Sequence, residues 1–412
     1  MATNVFGVRQ LLYAAESTTL ENAGDAQSDP SWGDSLPVFD ISADLRQERI
    51  PDAAIQSRLS HAAPGHPGVR TATLTFSCYA LGNLTTAASS VTETWQGVLL
   101  KRALGGEATT AGTTVSSATS ASSITFASTA SFAVGEAIRM GTKSDGQGDG
   151  QFGIIGTVGP PTVMLTAFPG QPDASDVCYA CGTIYHDESA SVLTERFLVM
   201  HDTTGAQFAL FGCVPTSIVY NIPVGPSALP TITFTYEAGY WRTISTTFPN
   251  STARANDYCA PVAGGSFFIQ DVGTVTRATY TPAEINLSLG LKFEPIYGPP
   301  NTSGGAWQNI TGWTKTGMGA MLEVKRPWDA TPATFWDSEN STITYKQILF
   351  TANPTDGRAW GFYMPRVMPA GNRGSGVVNV NNQNYSTETF QAVEGPTTTN
   401  ELTRSSIRIL WS

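Results

Sequence analysis

The chain has 412 residues and a formal net charge of −10, and only 14% of its residues are charged, against about 25% in an ordinary soluble domain. Its 41% hydrophobic content is enough to bury large cores, which excludes disorder throughout, and at roughly 100–200 residues per domain the length suggests two or three domains. The acidic balance and the lack of any Lys/Arg run argue against a protein that grips nucleic-acid phosphates through a basic patch.

The opening segment Met1–Arg9 has no basic stretch followed by an apolar one, so no signal peptide is expected. No apolar run approaches the ~18 residues of a membrane span. The expectation is a soluble product made in the cytoplasm, with no membrane partner. Cys78, Cys213 and Cys259 sit singly in apolar, strand-like context, which fits a reducing compartment better than a disulfide framework. Sequons such as those at Asn83 and Asn286 are then a product of Ser/Thr-rich composition.

In chain order, strands are predicted near Phe39–Leu45 and over Arg70–Tyr79, where Thr71–Tyr79 alternates with period two. A helix is predicted over Ser90–Leu104. Ser90-Val-Thr-Glu93 reads as its capping box, Trp95, Val98, Leu99 and Ala103 as its apolar stripe, and Gly105-Gly106 as its stop. Residues 106–186 follow as an insertion. Its Ala/Ser/Thr stretch Ala108–Ser123 reads as a flexible stalk, and the segments Ser123–Phe126, Gly135–Met140, Phe152–Val158 and Thr162–Thr166 read as strands of a small β domain.

Strands then come at Val192–Met200, at Gln207–Gly212 after the turn Asp202–Gly205, and at Leu229–Tyr236. The later part repeats this order. Strand Glu284–Leu291, a long loop and strand Met318–Lys325 lead to a short helix opening at Thr331-Pro332 with Phe335 and Trp336 on it. Strand Ile343–Phe350, turn Pro354–Gly357 and strand Ala359–Tyr363 complete the series. The expected fold is all-β: two tandem β-sandwich units, each with a flanking short helix, plus the inserted small β domain. The first unit is discontinuous (1–105 and 187–245), the insertion is 106–186, and the second unit is 246–412.

Few residues suggest chemistry. Gly135–Lys143 lacks the spacing of a phosphate loop, and no nucleophile elbow or HExxH is present. Cys178-Tyr-Ala-Cys181 has the spacing of half a zinc site with His186 as a third ligand at most, so two structural thiols are the reading. Asp145–Asp149 lacks the downstream Glu of a calcium loop and reads as a turn. His186-Asp187-Glu188 and His201-Asp202 flank opposite ends of one strand and are not expected to meet. His61 and His66 lie in a Pro/Gly loop. Trp328 and Trp336 read as core, while Trp307 and Trp313, in a Gly/Asn loop, are the pair to test for ligand or partner contact. No catalytic residue, metal or cofactor is expected.

Two stretches carry a resemblance. Val8–Thr18, Leu36–Arg46, Ile50–Arg58 and Gly68–Phe76 resemble the opening of tailed-phage tail tube proteins, and Gly205–Val219 followed by Leu229–Tyr236 resembles that family's later strand pair. The resemblance implies a non-enzymatic structural virion protein whose subunits form rings stacked into a tube for genome ejection. Strands would pair between neighbours around the lumen, and the inserted domain would decorate the outside. It implies an extended loop, Asp44–Pro67, that docks on a neighbour, with Arg46, Glu48, Arg49 and Arg58 as the candidate inter-subunit contacts. Expected partners are the chain itself, as stacked hexameric or pseudo-hexameric trimeric rings, the tape measure, terminator and baseplate or tip proteins, and viral DNA passing without specific binding. The location implied is the virion tail, assembled in the bacterial cytoplasm. The alternatives left open are a tail terminator, a capsid decoration protein, and a carbohydrate-binding tail protein.

Overall fold

A computed structural model describes residues 10–16, 35–50, 66–82, 91, 94–141, 150–200, 207–224, 229–244, 265–274, 279–280, 282–298, 310–327, 345–352, 359–370, 378–380, 383–395 and 400–412. The first part holds β1 (Gln10–Ala15), β2 (Phe39–Ile50), β3 (His66–Tyr79) and α1 (Trp95–Leu104). The middle holds β4 (Gly105–Thr110), β5 (Thr113–Ser120), β6 (Ser123–Phe126), β7 (Ala137–Met140), β8 (Phe152–Thr157), β9 (Thr162–Thr166), β10 (Val177–Tyr179) and β11 (Cys181–His186). Next come β12 (Glu195–Met200), β13 (Gln207–Pro223), β14 (Thr231–Ile244), β15 (Ser266–Asp271), β16 (Thr279–Tyr280), β17 (Glu284–Tyr297) and β18 (Ile310–Pro327). The chain ends with β19 (Lys346–Ala352), β20 (Trp360–Pro369), β21 (Val378–Val380), β22 (Gln383–Ala392), α2 (Glu401–Arg404) and β23 (Arg408–Trp411). The protein is all-β with minor helix.

Period-two patterning places the core. Ala72, Leu74, Phe76 and Cys78 of β3, Ile232, Phe234, Tyr236 and Ala238 of β14, and Ile285, Leu287, Leu289 and Leu291 of β17 are buried on one face. Phe76 lies at the centre, its ring centroid 5.4 Å from Phe234, 5.8 Å from Phe197 and 6.0 Å from Tyr236. Such pairs are worth ~0.5–1.5 kcal/mol each beyond the area they bury.

Antiparallel pairing joins β1 to β12, β12 to β13, β13 to β14, β14 to β3 and β3 to β2. The later strands pair in the same order: β15 with β19, β19 with β20, β20 with β22, β22 with β18 and β18 with β17. The two runs meet where Ser217–Pro223 of β13 pairs with Glu284–Gly290 of β17. A register shift between Pro215 and Ser217 bends β13, so its first half serves β12 and its second half serves β17.

The strands run longer than the sequence indicates. β2 and β3 stay paired out to Arg49–Pro67 and Ile50–His66, so both ends of the expected docking loop Asp44–Pro67 are strand, and its centre, 51–65, lies outside the described residues. The helix also differs. Thr94, not Ser90, is the N-cap, its Oγ1 accepting from Gly97 N at 3.1 Å, and Gly105 closes the helix at φ 100°. Ser90, Thr92 and Glu93 lie outside the described residues, as does the second helix segment at Thr331–Trp336. Thr94→Ala is expected to lower stability by about 1 kcal/mol through loss of the cap; an unchanged urea midpoint rejects that role.

In the insertion, β10, β5, β6, β9, β8 and β7 close into a barrel in that order around Val115, Ile124, Ile138, Met140, Ile155, Met164 and Cys178. The expected flexible stalk is instead ordered strand. Its residues form β4 and β5, and β4 pairs with β11 along its whole length. β11 then pairs with β23 and β23 with β20, so the barrel's support is part of the main sheet.

Candidate assembly surfaces

The first surface is a pair of open strand edges. Among the described residues β2 pairs with β3 alone and β21 with β22 alone. Unpaired edge amides and carbonyls are a template for another strand. The registers relate these edges to the internal junction. Thr231 of β14 stands between Tyr79 of β3 and Asn221 of β13, as Tyr385 of β22 stands between Pro327 of β18 and Val378 of β21. Val378 therefore holds the later run's equivalent of Asn221. Asn286 of β17 pairs with Glu323 of β18 as Ser42 of β2 pairs with Thr75 of β3, and Glu323 and Thr75 are themselves equivalent. Within the chain, Asn221 pairs with Asn286; the corresponding positions are Val378 and Ser42, which among the described residues have no partner on that outer side.

The second surface is the outward face of the sheet around that junction. Opposite the buried rows stand Thr73, Thr75 and Ser77 of β3, Thr231, Thr233 and Thr235 of β14, and Asn286 and Ser288 of β17, all partly exposed. Ser77 and Thr233 share a hydroxyl hydrogen bond of 2.9 Å, and Thr75 Oγ1 lies 3.5 Å from Thr235 Oγ1. Cross-strand Thr and Ser pairs suit a pleated, half-solvated face. The result is a hydroxyl-rich face, joined by the carboxylates of Glu237, which pairs with Thr73, and Glu323, which pairs with Asn286, and by the Lys325–Glu284 pair, 3.8 Å apart.

Of the proposed contact residues, Arg46 is exposed on β2 and pairs with Asp44 of the same strand at 2.5 Å, an arrangement worth little by itself. Its carbonyl accepts from Trp241 Nε1 at 2.9 Å, and the Arg70 guanidinium lies 5.1 Å from the Trp241 ring centre. Glu48 and Arg49 belong to β2, with side chains outside the described residues; Arg58 lies wholly outside them.

Other sequence readings resolve in the core. Trp313 is no stacking platform: it is buried and its Nε1 donates to Gly212 O at 2.9 Å. Trp307, Trp328, Trp336, His61, His201, Asp202 and Asp145–Asp149 lie outside the described residues, and His66 opens β3 with its side chain outside them. Cys178 faces the barrel core and Cys181 the core between barrel and body, so the two thiols stay separate. Burial pushes the Cys181 thiol up to about 12, which disfavours the thiolate that a metal needs. Among the described residues, no three His, Cys, Asp or Glu side chains are placed to hold a metal ion, and no helix is long and apolar enough to cross a membrane.

Sequence reading missed a buried carboxylate pair. Glu16 follows β1 and accepts from Thr194 Oγ1 and from Gly212 N, the latter at 2.9 Å, while Arg102 of α1 pairs with Glu195. Desolvation pushes the Glu195 carboxyl up to about 7 despite Arg102 beside it. The two glutamates are far apart in sequence, so no local motif announces them.

No protein-family model matches the chain, and no curated protein is detectably similar to it.

Proposed function

We propose that this protein is a non-enzymatic tail tube subunit of a tailed phage, built of two tandem β-sandwich units that assemble head to tail into rings. The observation that carries this reading is the β13–β17 junction. One unit pairs edge to edge with the next inside the chain, and the equivalent edges, β21 and β2, have no second partner strand among the described residues. Repeating the same contact between chains is a heterologous interface, which closes into a ring when its rotation permits. Three chains supply six units, the pseudo-hexameric form; six chains supply twelve.

In this reading the hydroxyl-rich face lines the lumen. A basic wall would hold DNA through counterion release at every phosphate, whereas hydroxyls and carboxylates leave it free to pass. Arg46, Glu48 and Arg49 of β2, and Arg58 in the segment that follows it, are the contacts this reading assigns to a neighbouring subunit. The barrel decorates the outside. Tape measure, terminator and baseplate or tip proteins are the further partners of such a tube in the virion tail.

The register gives the test. With Ser42→Cys and Val378→Cys in one chain, mild oxidation should cross-link copies into a ladder that ends at the ring's copy number. Micrographs of the same preparation should show rings or stacked tubes. Closed rings that never stack point to a terminator or decoration protein instead, and a persistently monomeric, uncross-linked chain rejects head-to-tail assembly.

A further inference from the structure

A cavity of about 120 Å³ opens between the end of β11, β18, the segment after β22, and α2. Its lining includes His186, Glu188, Met318, Glu394, Glu401 and Arg404. One water needs only ~10–15 Å³ of such space, so the cavity admits a group of several atoms.

Its electrostatics are unbalanced. The Arg404 guanidinium lies 3.5 Å from Glu188, 3.7 Å from Glu394 and 3.1 Å from Glu401, one cation set among three carboxylates. Beside the lining, the Lys315 ammonium donates to Leu104 O at 3.0 Å and Asp187 O at 2.7 Å and feels the carboxylates of Asp187 and Glu188, so Lys315 and Asp187 offset one another and the lining keeps its excess of negative charge. His186 contributes no positive charge at neutral pH, because burial first and Lys315 second hold its imidazole down to about 4, against the pull of Asp187.

His186 also supplies the second, independent observation. It is only 7% exposed, and its Nε2 is buried without a hydrogen-bond partner among the described residues, although its backbone N–H is satisfied by Ser405 Oγ at 3.0 Å. A buried polar atom left in that state costs ~1–3 kcal/mol. In the Nδ1–H tautomer, Nε2 is an acceptor, and the three carboxylates are acceptors too. With Nε2 in that acceptor form, a positively charged donor matches all four groups. Met318 and Ala392 provide an apolar wall, which suits an alkyl chain better than a hydrated metal ion.

We propose that this cavity binds a primary alkylammonium group, with its N–H donors directed at His186 Nε2 and at the carboxylates of Glu188 and Glu394, and its alkyl chain against Met318. Both a free alkylamine and a lysine side chain of a second copy present this group.

The test uses the full chain, titrated with n-butylammonium chloride and, separately, with tetramethylammonium chloride at matched ionic strength. Heat of binding and the His186 imidazole ¹⁵N resonances are followed. Expected are saturable binding of butylammonium, a shift of the His186 Nε2 signal, and affinity about tenfold weaker for tetramethylammonium, which has no N–H to donate. Glu394→Gln, at an exposed side chain that does not threaten folding, should weaken butylammonium about tenfold. Carbodiimide treatment separates the sources. A zero-length cross-link from Glu188, Glu394 or Glu401 to a lysine of another copy assigns the natural group to that lysine, and saturable binding with no such cross-link assigns it to a free amine. The proposal is overturned by unsaturable heats, by equal affinity for the two cations, or by an unmoved His186 signal.

Discussion

Arg408→Met should lower the unfolding free energy by about 2–4 kcal/mol and loosen the barrel from the body of the protein. Arg408 opens β23 and is 1% exposed. Its Nε donates to Leu402 O at 2.8 Å, its Nη1 to Gly135 O at 3.0 Å and its Nη2 to Thr403 O at 3.4 Å, and its guanidinium lies 5.1 Å from the Tyr363 ring centre. Gly135 leads into the barrel strand β7, Leu402 and Thr403 belong to α2, and Tyr363 belongs to β20. One side chain thus ties three parts of the chain together. Burial lowers its pKa to about 10, so it remains charged at neutral pH. The desolvation cost of that charge is offset by three charge-assisted bonds, stronger than neutral ones. Methionine fills much of the volume but leaves the carbonyls without their donor.

Chemical denaturation measures the loss in Arg408→Met, and limited proteolysis reads the loosening as new cleavage at the β4–β11 ribbon. Arg408→Lys is the informative companion. It keeps the charge but loses the planar fork that reaches three carbonyls at once, so it should fall between wild type and Arg408→Met. A methionine variant with an unaltered midpoint and digestion pattern removes Arg408 from this role.

That clamp was not legible in the sequence, and the reason is physical. Arg408, Ile409, Leu410 and Trp411 are buried on both faces of β23, so the segment shows no alternation. β19 is likewise buried at every residue, and only its β-branched and aromatic content marks it as strand. Where one face meets solvent, as in β3, β14 and β17, the period of two is plain and the core residues can be read directly. The matching strand order of the earlier and later parts was legible for the same reason, because strands that pair in the same order bury corresponding faces. What the linear pattern could not hold was register. That Val378 takes the place of Asn221, and Ser42 that of Asn286, follows only from ladders between distant segments. Trp313 misled because the Gly/Asn-rich stretch before it looks like a loop, while its indole N–H reaches Gly212 across the fold. The cavity residues at 186–188 and 394–404 were similarly invisible as a group.

Two buried groups should set opposite pH dependences that mask each other in the wild-type protein. Glu195, raised from an ordinary 4.5 to about 7 by burial, keeps its proton in the folded state between those values while the unfolded chain has released it. Its contribution is therefore full below pH 4.5 and is lost as pH rises towards 7. His186, lowered from 6.5 to about 4, stays neutral in the folded state while the unfolded chain takes up a proton. Its contribution is full above pH 6.5 and is lost as pH falls towards 4. Each amounts to about 3 kcal/mol across its window, and between pH 4.5 and 6.5 the slopes oppose one another. Wild-type stability should be nearly level there as far as these two groups decide it. Glu195→Gln removes the first slope, so stability should fall as the solution is acidified from pH 6.5. His186→Gln removes the second, so stability should fall as pH rises from 4.5. Urea midpoints at pH 4.5, 5.5 and 6.5 should therefore tilt in opposite directions for the two variants. Parallel profiles would mean that neither group titrates differently in the folded and unfolded chain.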